Sequence, residues 1–341
     1  MTRSWLDALT GLVDRVPAPR WAVYLAVGAA WVILGSIATW IADRGTFSNV
    51  GPMLAIGIGL PLIALWWMQA LDAVARRALA SLRPQLDLND QETAAVASDL
   101  SRTPPAWAAV ALVAGTVAGL GSILGNPSSW GLDEGASSID WALRLLTSVA
   151  ASIVVFGFLA HVVHQLRLVD RLHRHHVRVD LFRLEPVYAF ATLTARTGMT
   201  LIGLAVVGFA AVSTIVPGLR LSVADISSAV VLFSVAIACF VAPLLSLHHR
   251  IVEEKDRRLA EANGTLAATL AELRRRVTAG EIDDAARLND AVAAANSSVL
   301  VVARVSTWPW RPETLRAFAG AVLLPIGLWI VFELLRRVLP A

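Results

Sequence analysis

Apolar segments about twenty residues long recur along this chain and restrict the environment in which it can fold. The first of them, 21–42, contains no charged residue. A helix of about twenty residues can cross the ~30 Å hydrocarbon core of a bilayer. Of all residues, 56% are hydrophobic and only 16% are charged, whereas soluble domains carry about 25% charged residues. The sequence therefore predicts an all-α, polytopic membrane protein.

Seven segments fit a membrane-spanning helix by length and hydrophobicity. They lie at 21–42, 51–71, 106–125, 143–164, 198–217, 227–247 and 316–335. The first segment is longer than the ~7–15 apolar residues of a signal peptide, so we expect it to remain as a membrane span. Residues 4–16 carry apolar side chains at helical spacing, which predicts a short amphipathic helix at the membrane interface.

Arginine is concentrated in alternate connecting segments, which predicts an orientation. The segment 126–140 has no lysine or arginine, whereas the segments before and after it are rich in arginine. Because positive residues stay on the cytoplasmic side, we expect a multi-pass protein of the cell (plasma or inner) membrane with its N-terminus in the cytoplasm. Seven spans would place the C-terminus outside, but Arg336 and Arg337 argue for a return to the inside, so the last span is the weakest of the seven.

The fourth span is followed by a basic helix face. Arg167, Arg171, Arg174 and Arg178 are spaced four, three and four residues apart, which places them on one side of a helix. Anionic lipid headgroups attract such a face by about 1 kcal/mol per cation. We therefore expect these arginines to contact headgroups, although topology alone is a sufficient reason for their presence.

Three parts follow from these patterns. Residues 1–247 form a membrane domain with six spans and the N-terminal interfacial helix, 248–306 form a cytoplasmic helical hairpin, and 307–341 form a Trp-Pro corner and a final membrane helix. Within the membrane domain, Asn89 followed by Glu92 has the spacing of a capping box and predicts a surface helix that ends before Pro104.

The predicted hairpin carries a coiled-coil-like seam. Apolar residues recur there every seven positions, with a second set between them, as in a short heptad repeat. Gly280 follows the seam and predicts the end of the first arm. The seam either packs on the second arm and the cytoplasmic loops, or pairs with another protomer or a partner protein. The seam residues are Val252, Leu259, Leu266, Leu270, Leu273 and Val277.

Two tryptophans alternate with prolines between the hairpin and the last span. Trp308 and Trp310 lie on either side of Pro309, and Pro312 follows after Arg311. Indole rings favour the headgroup layer, and proline fixes the backbone. We expect a rigid interfacial corner here that sets how the hairpin meets the membrane.

All seven histidines lie near two predicted cytoplasmic ends of spans. The i, i+3 spacing of two of the pairs allows two imidazoles to share one helix face. Three interpretations remain open: a basic interfacial segment, a pH-sensitive switch, or a metal site that lacks an acidic or cysteine ligand in any known pattern. The metal candidates are His161, His164, His173, His176, His248 and His249.

No catalytic, nucleotide-binding or cofactor motif is present, so we expect neither enzymatic activity nor a cofactor. The formal net charge of +3 is too small to indicate nucleic-acid binding. The expected partners are the lipid bilayer and a second copy or another protein bound through 248–306. The sequence thus favours a non-enzymatic scaffold, sensor or regulatory module that acts through the hairpin. The alternative is an oligomeric ion channel or permease.

Overall fold

The computed structural model describes residues 4–42, 50–125, 127–130, 132, 136–175, 180–182, 184–215, 223–280 and 285–338. Within these ranges the chain is helical and contains no strand. The α-helices in this part of the chain are α1 (Trp5–Val13), α2 (Arg20–Ala42), α3 (Val50–Leu82), α4 (Asp90–Leu100), α5 (Pro105–Gly125), α6 (Ser138–His175), α7 (Glu185–Ile215), α8 (Val223–Ala279), α9 (Ala285–Ala303) and α10 (Pro312–Val338).

Six stretches in the described ranges are long and apolar enough to cross a membrane, and they lie in α2, α3, α5, α6, α7 and α8. The prediction of an all-α chain with several helices able to span a membrane is therefore confirmed. The seventh predicted span falls in α10, where several side chains lie outside the described residues. That span, and the side of the membrane on which each loop lies, stay predictions.

The core lies where α3, α6, α7 and α8 meet. Its largest side chains are Phe158 of α6, Phe190 of α7 and Phe240 of α8, all nearly inaccessible to solvent. Burying an aromatic side chain of this size contributes about 1.5–3 kcal/mol where water is the reference. In lipid, close packing of side chains is the main term instead.

Helices α5 and α6 approach each other closely through two glycines. A Cβ atom on Gly115 would lie 2.5 Å from Ile153 Cα, and one on Gly119 would lie 2.6 Å from Val149 Cα. The Ser148 hydroxyl donates a hydrogen bond to the Gly119 carbonyl at 2.9 Å. The glycine-rich face of α5 therefore packs inside the bundle, as small residues in membrane helices commonly do.

Two local predictions can be compared directly with the structure. The capping box at Asn89 is present, because its side chain accepts from the Glu92 amide and the Glu92 carboxylate accepts from the Asn89 amide. The predicted span at 198–217 belongs to a longer helix, since α7 begins at Glu185 and continues into this segment to Ile215.

Helix α8 is the longest described element, with 57 residues. Its N-terminal half contributes to the core, and its C-terminal half packs along α9. Gly280 ends α8 with a φ of +78°, a left-handed conformation that glycine adopts without strain. We refer to residues 250–279 of α8 together with α9 as the α8–α9 pair.

Candidate functional site

The predicted Trp-Pro corner, which connects α9 to α10, stacks its rings on side chains of α8. The His248 ring stacks on Trp308 with centroids 4.0 Å apart, and Trp308 stacks on Trp310 at 4.4 Å. Trp310 contacts Phe240 at 5.4 Å, and Phe240 contacts Phe318 of α10 at 4.3 Å. We call these five residues the aromatic stack. Through these ring contacts, the end of the α8–α9 pair nearest the core is connected to Phe240 and Phe318 of the core.

Hydrogen bonds reinforce this junction. His248 Nδ1 donates to the Thr307 carbonyl at 2.9 Å. Lys255 Nζ donates to the carbonyl oxygens of Ala303 at 2.7 Å and Val305 at 2.8 Å. The last carbonyls of a helix have no partner within it, and a cation there also interacts favourably with the helix dipole. Lys255 of α8 therefore caps the C-terminus of α9.

The seam residues lie on α8, which contacts α9. Their side chains are half-buried, except Val277, which is 55% exposed. The facing side of α9 carries apolar residues at heptad-like spacing, and Val302 among them is buried. Leu300 and Val301, on another side of α9, are 48% and 54% exposed. The two helices thus contact each other within one chain, and some apolar residues of α9 stay accessible.

Ion pairs within α8 neutralise much of its outer surface. Arg257 and Arg258 contact Glu254, and Arg275 and Arg276 contact Glu272. Hydrogen bonds from Arg275 and Arg276 lower the pKa of Glu272 to about 2. Pairs at these spacings support a solvated helix.

The basic face predicted after the fourth span continues α6 rather than forming a separate segment. Arg167, Arg171 and Arg174 are all exposed. Arg167 lies over the Trp107 ring, with its guanidinium carbon 4.8 Å from the ring centroid, and Arg174 pairs with Asp170 at 2.9 Å. Arg178 lies outside the described residues. Contact of this face with lipid headgroups stays a prediction.

The candidate histidine ligands are distributed over different environments. His161 is buried and hydrogen-bonded through both ring nitrogens. His248 belongs to the aromatic stack, and His249 Nδ1 donates to the Leu245 carbonyl at 2.8 Å. His176 and the side chain of His173 lie outside the described residues. In the described part of the chain, no three histidine, cysteine or acidic side chains come together as metal ligands.

A buried polar cluster between α3 and α6 was not predicted. His161 Nε2 donates to Asp72 Oδ1 at 2.8 Å, and the Thr103 hydroxyl contacts His161 Nδ1 at 2.9 Å. Gln165 Nε2 donates to Asp72 Oδ1 at 3.2 Å and to the Leu100 carbonyl at 2.9 Å. We call Asp72, Thr103, His161 and Gln165 the Asp72 cluster. Asp72 is 9% exposed and the other three at most 1%.

Helix α1 packs over this region. The Trp5 indole donates to the Ala108 carbonyl at 2.8 Å, and its ring lies against Gly157, which leaves room for it. The Asp7 carboxylate accepts from the Thr103 amide at 3.1 Å. Leu6 is fully buried. The amphipathic helix predicted near the N-terminus thus forms, and one face of it contacts the bundle.

The sequence contained only a weak sign of the Asp72 cluster. Asp72 lies next to the end of a predicted span, a position where a charged residue ordinarily reaches the interface. Its partners at 103, 161 and 165 come from distant parts of the chain, so no local motif unites them. The one available signal was the polar pair His161 and Gln165, four residues apart at the end of an apolar helix.

Fold and site together define a class: an all-helical chain with several membrane-length apolar helices, one of which continues into a second, paired helical segment. Comparison of the chain with protein families, with curated proteins and with solved structures gave no match.

Proposed function

We propose that this protein is a non-enzymatic scaffold, sensor or regulatory module of the cell membrane, which acts through the α8–α9 pair as a hairpin in the cytoplasm. The observation that carries the proposal is the continuity of α8, which runs from the membrane-type core into the pair without interruption. Residues 244–279 of α8 contain no proline, the usual cause of a sharp kink, so a change of tilt in the core moves this whole stretch and the pair with it.

The aromatic stack supports the same proposal. It connects the pair to α8 and α10 at the level where the core ends, and Lys255 holds α9 to α8 just beyond it. A pair attached only by flexible segments would move independently of the core. This one is held by ring contacts and by a charge-assisted cap, which is roughly twice as strong as a neutral hydrogen bond.

The exposed apolar residues of the pair supply the proposed contact with a second copy of the chain. Leu300 and Val301 are adjacent on α9 and half-exposed. Two-helix units bury little apolar area on their own and gain from association. Since most seam residues are already half-buried in the single chain, we assign association to this outer face and assign the seam to contact within the hairpin.

Mass measurement in lipid nanodiscs tests the proposal. We expect the native chain to associate, and the double variant Leu300→Glu, Val301→Glu to remain as single protomers. The matched control Ala293→Glu, Ala294→Glu places the same charge on exposed positions of the same helix and should associate as the native chain does. Equal association of all three proteins, or of a chain without 250–303, would contradict this role for the pair.

An oligomeric ion channel or permease is the second candidate, and the Asp72 cluster favours it. Ionisable side chains buried among membrane helices commonly mark an ion or proton pathway. Proline within α3, α8 and α10 also allows these helices to bend. Ion or proton flux in liposomes that persists without 250–303 and disappears in Asp72→Asn would support this candidate over the first.

A further inference from the structure

The Asp72 cluster satisfies His161 in both of its protonation states. Nε2 donates to the Asp72 carboxylate in either state. Nδ1 faces the Thr103 hydroxyl at 2.9 Å. A hydroxyl can rotate to donate to a neutral ring or to accept from a protonated one. The ring can therefore gain or lose a proton without movement of its heavy atoms.

Two amide oxygens beside the pair point to a polar ligand. Gln165 Nε2 contacts two acceptors, Asp72 Oδ1 and the Leu100 carbonyl, which fixes the orientation of the amide. Its Oε1 is buried and has no hydrogen-bond partner in the described part of the chain. The same is true of Oε1 of Gln69, one helical turn before Asp72, whose Nε2 donates to the Thr10 carbonyl at 3.4 Å. An unpaired buried acceptor costs about 1–3 kcal/mol, so each oxygen requires a donor such as water.

The charge balance links this site to α1. The Thr103 hydroxyl contacts His161, and His161 contacts the Asp72 carboxylate of α3. The Thr103 amide donates to the Asp7 carboxylate of α1. On the neighbouring turn of α6, His164 interacts with Asp99 of α4. Arg76 of α3 donates to the Ser101 hydroxyl at 3.4 Å.

A protonated His161 compensates the charge of Asp72, and a neutral His161 leaves the Asp72 and Asp7 carboxylates without this compensation at the two ends of the contacts through His161 and Thr103. Like charges repel more strongly in a partly buried site than in water. Loss of the proton therefore weakens the contact between Asp7 and Thr103.

We propose that Asp72 and His161 form a proton-binding site with water bound to the amide oxygens of Gln69 and Gln165. The protonation of this site controls whether α1 is docked on the bundle. With the proton bound, α1 is docked and Leu6 is buried. With the proton released, α1 separates from the bundle. This proposal is independent of the function assigned to the α8–α9 pair.

The test measures exposure of α1 in the full-length protein in nanodiscs. In a Cys239→Ser background, maleimide labels either Leu6→Cys, at a fully buried position, or Leu12→Cys, at a position 56% exposed on the same helix. The ratio of the two rates corrects for the pH dependence of the thiol reaction. We expect the labelling rate at Leu6→Cys, divided by that at Leu12→Cys, to rise about fivefold or more between about pH 6 and about pH 8.5. A change of this size corresponds to a modest coupling between proton binding and the docking of α1.

Two variants identify the responsible groups. His161→Gln should abolish the pH dependence of the ratio, and Asp7→Asn, which keeps a hydrogen-bond acceptor on α1 and leaves the bundle unchanged, should abolish it as well. A ratio that does not change with pH in the native chain overturns the proposal. So does an unchanged rise in Asp7→Asn, or a ratio set by sodium concentration at constant pH, which would assign the site to a metal cation.

Discussion

Gly115 and Gly119 determine how close α5 and α6 lie, and this closeness can be tested with single methyl groups. A Cβ at Gly115 would meet the backbone of Ile153, whereas one at Gly121 meets nothing within 4 Å. We expect Gly115→Ala to destabilise the protein by about 1–3 kcal/mol, the usual cost of overpacking. The matched change Gly121→Ala should have little effect. Thermal unfolding followed by size-exclusion chromatography measures both, and equal midpoints would contradict the packing described here.

Glu272 gives a pH prediction for the α8–α9 pair. Its pKa is about 2 because Arg275 and Arg276 donate hydrogen bonds to it, whereas an unfolded glutamate titrates near about 4.3. Because the pKa is lower in the folded state, the ionised carboxylate stabilises the folded helix at pH values above the pKa of the unfolded state. This stabilisation is lost as the pH falls through about 2. We expect Glu272→Gln to increase fraying of the C-terminal end of α8 at neutral pH, and this difference to shrink as the pH falls from about 4 toward about 2.

A spin label at the exposed position Ala271, in a Cys239→Ser background, measures this fraying. Glu253→Gln is the control, since Glu253 is an exposed carboxylate of the same helix with no arginine partner shown in the described ranges. The explanation fails if the two variants give the same spectra at neutral pH, or if the effect of Glu272→Gln persists in acid.

At the scale of whole elements, the attachment of α9 depends on one side chain of α8. Lys255→Met keeps the apolar part of the side chain and removes the charged cap on Ala303 and Val305. Charge-assisted hydrogen bonds contribute about 1.5–3 kcal/mol, reduced here by partial exposure to about 1 kcal/mol. We expect faster hydrogen exchange in the last turn of α9, measured by mass spectrometry. Arg258→Met, whose ionic partners lie within α8, should leave that turn unchanged.

Elements were predictable where their signal is local. The long apolar segments, the capping box at Asn89 and the glycine that ends α8 all depend on residues within a few positions of one another, and each is present. The Asp72 cluster was not predictable in this way, because hydrogen bonds join residues as far apart as 93 positions. The fifth span was predicted to begin at 198, whereas α7 begins at Glu185, and Pro186 suits the first turn of this helix.

For the molecule as a whole, the predicted orientation is open to a direct experiment. In a Cys239→Ser background, Ala136→Cys lies in the loop expected outside the cell, and Ala267→Cys lies in the pair expected in the cytoplasm. A membrane-impermeant maleimide added to intact cells should label the first and spare the second until the membrane is opened. Labelling of both positions in intact cells would contradict the arrangement inferred from arginine.

The position of Pro243 has a mechanical consequence. Proline removes the backbone hydrogen bond to the carbonyl four residues earlier, that of Cys239, and so creates a natural pivot in α8. From this pivot to Ala279 the helix extends about 54 Å, so a tilt of about 5° at Pro243 displaces its far end by about 5 Å. Rearrangements of this small angle in the core are thus amplified, by a lever built from a single helix, into movements as large as one helical turn.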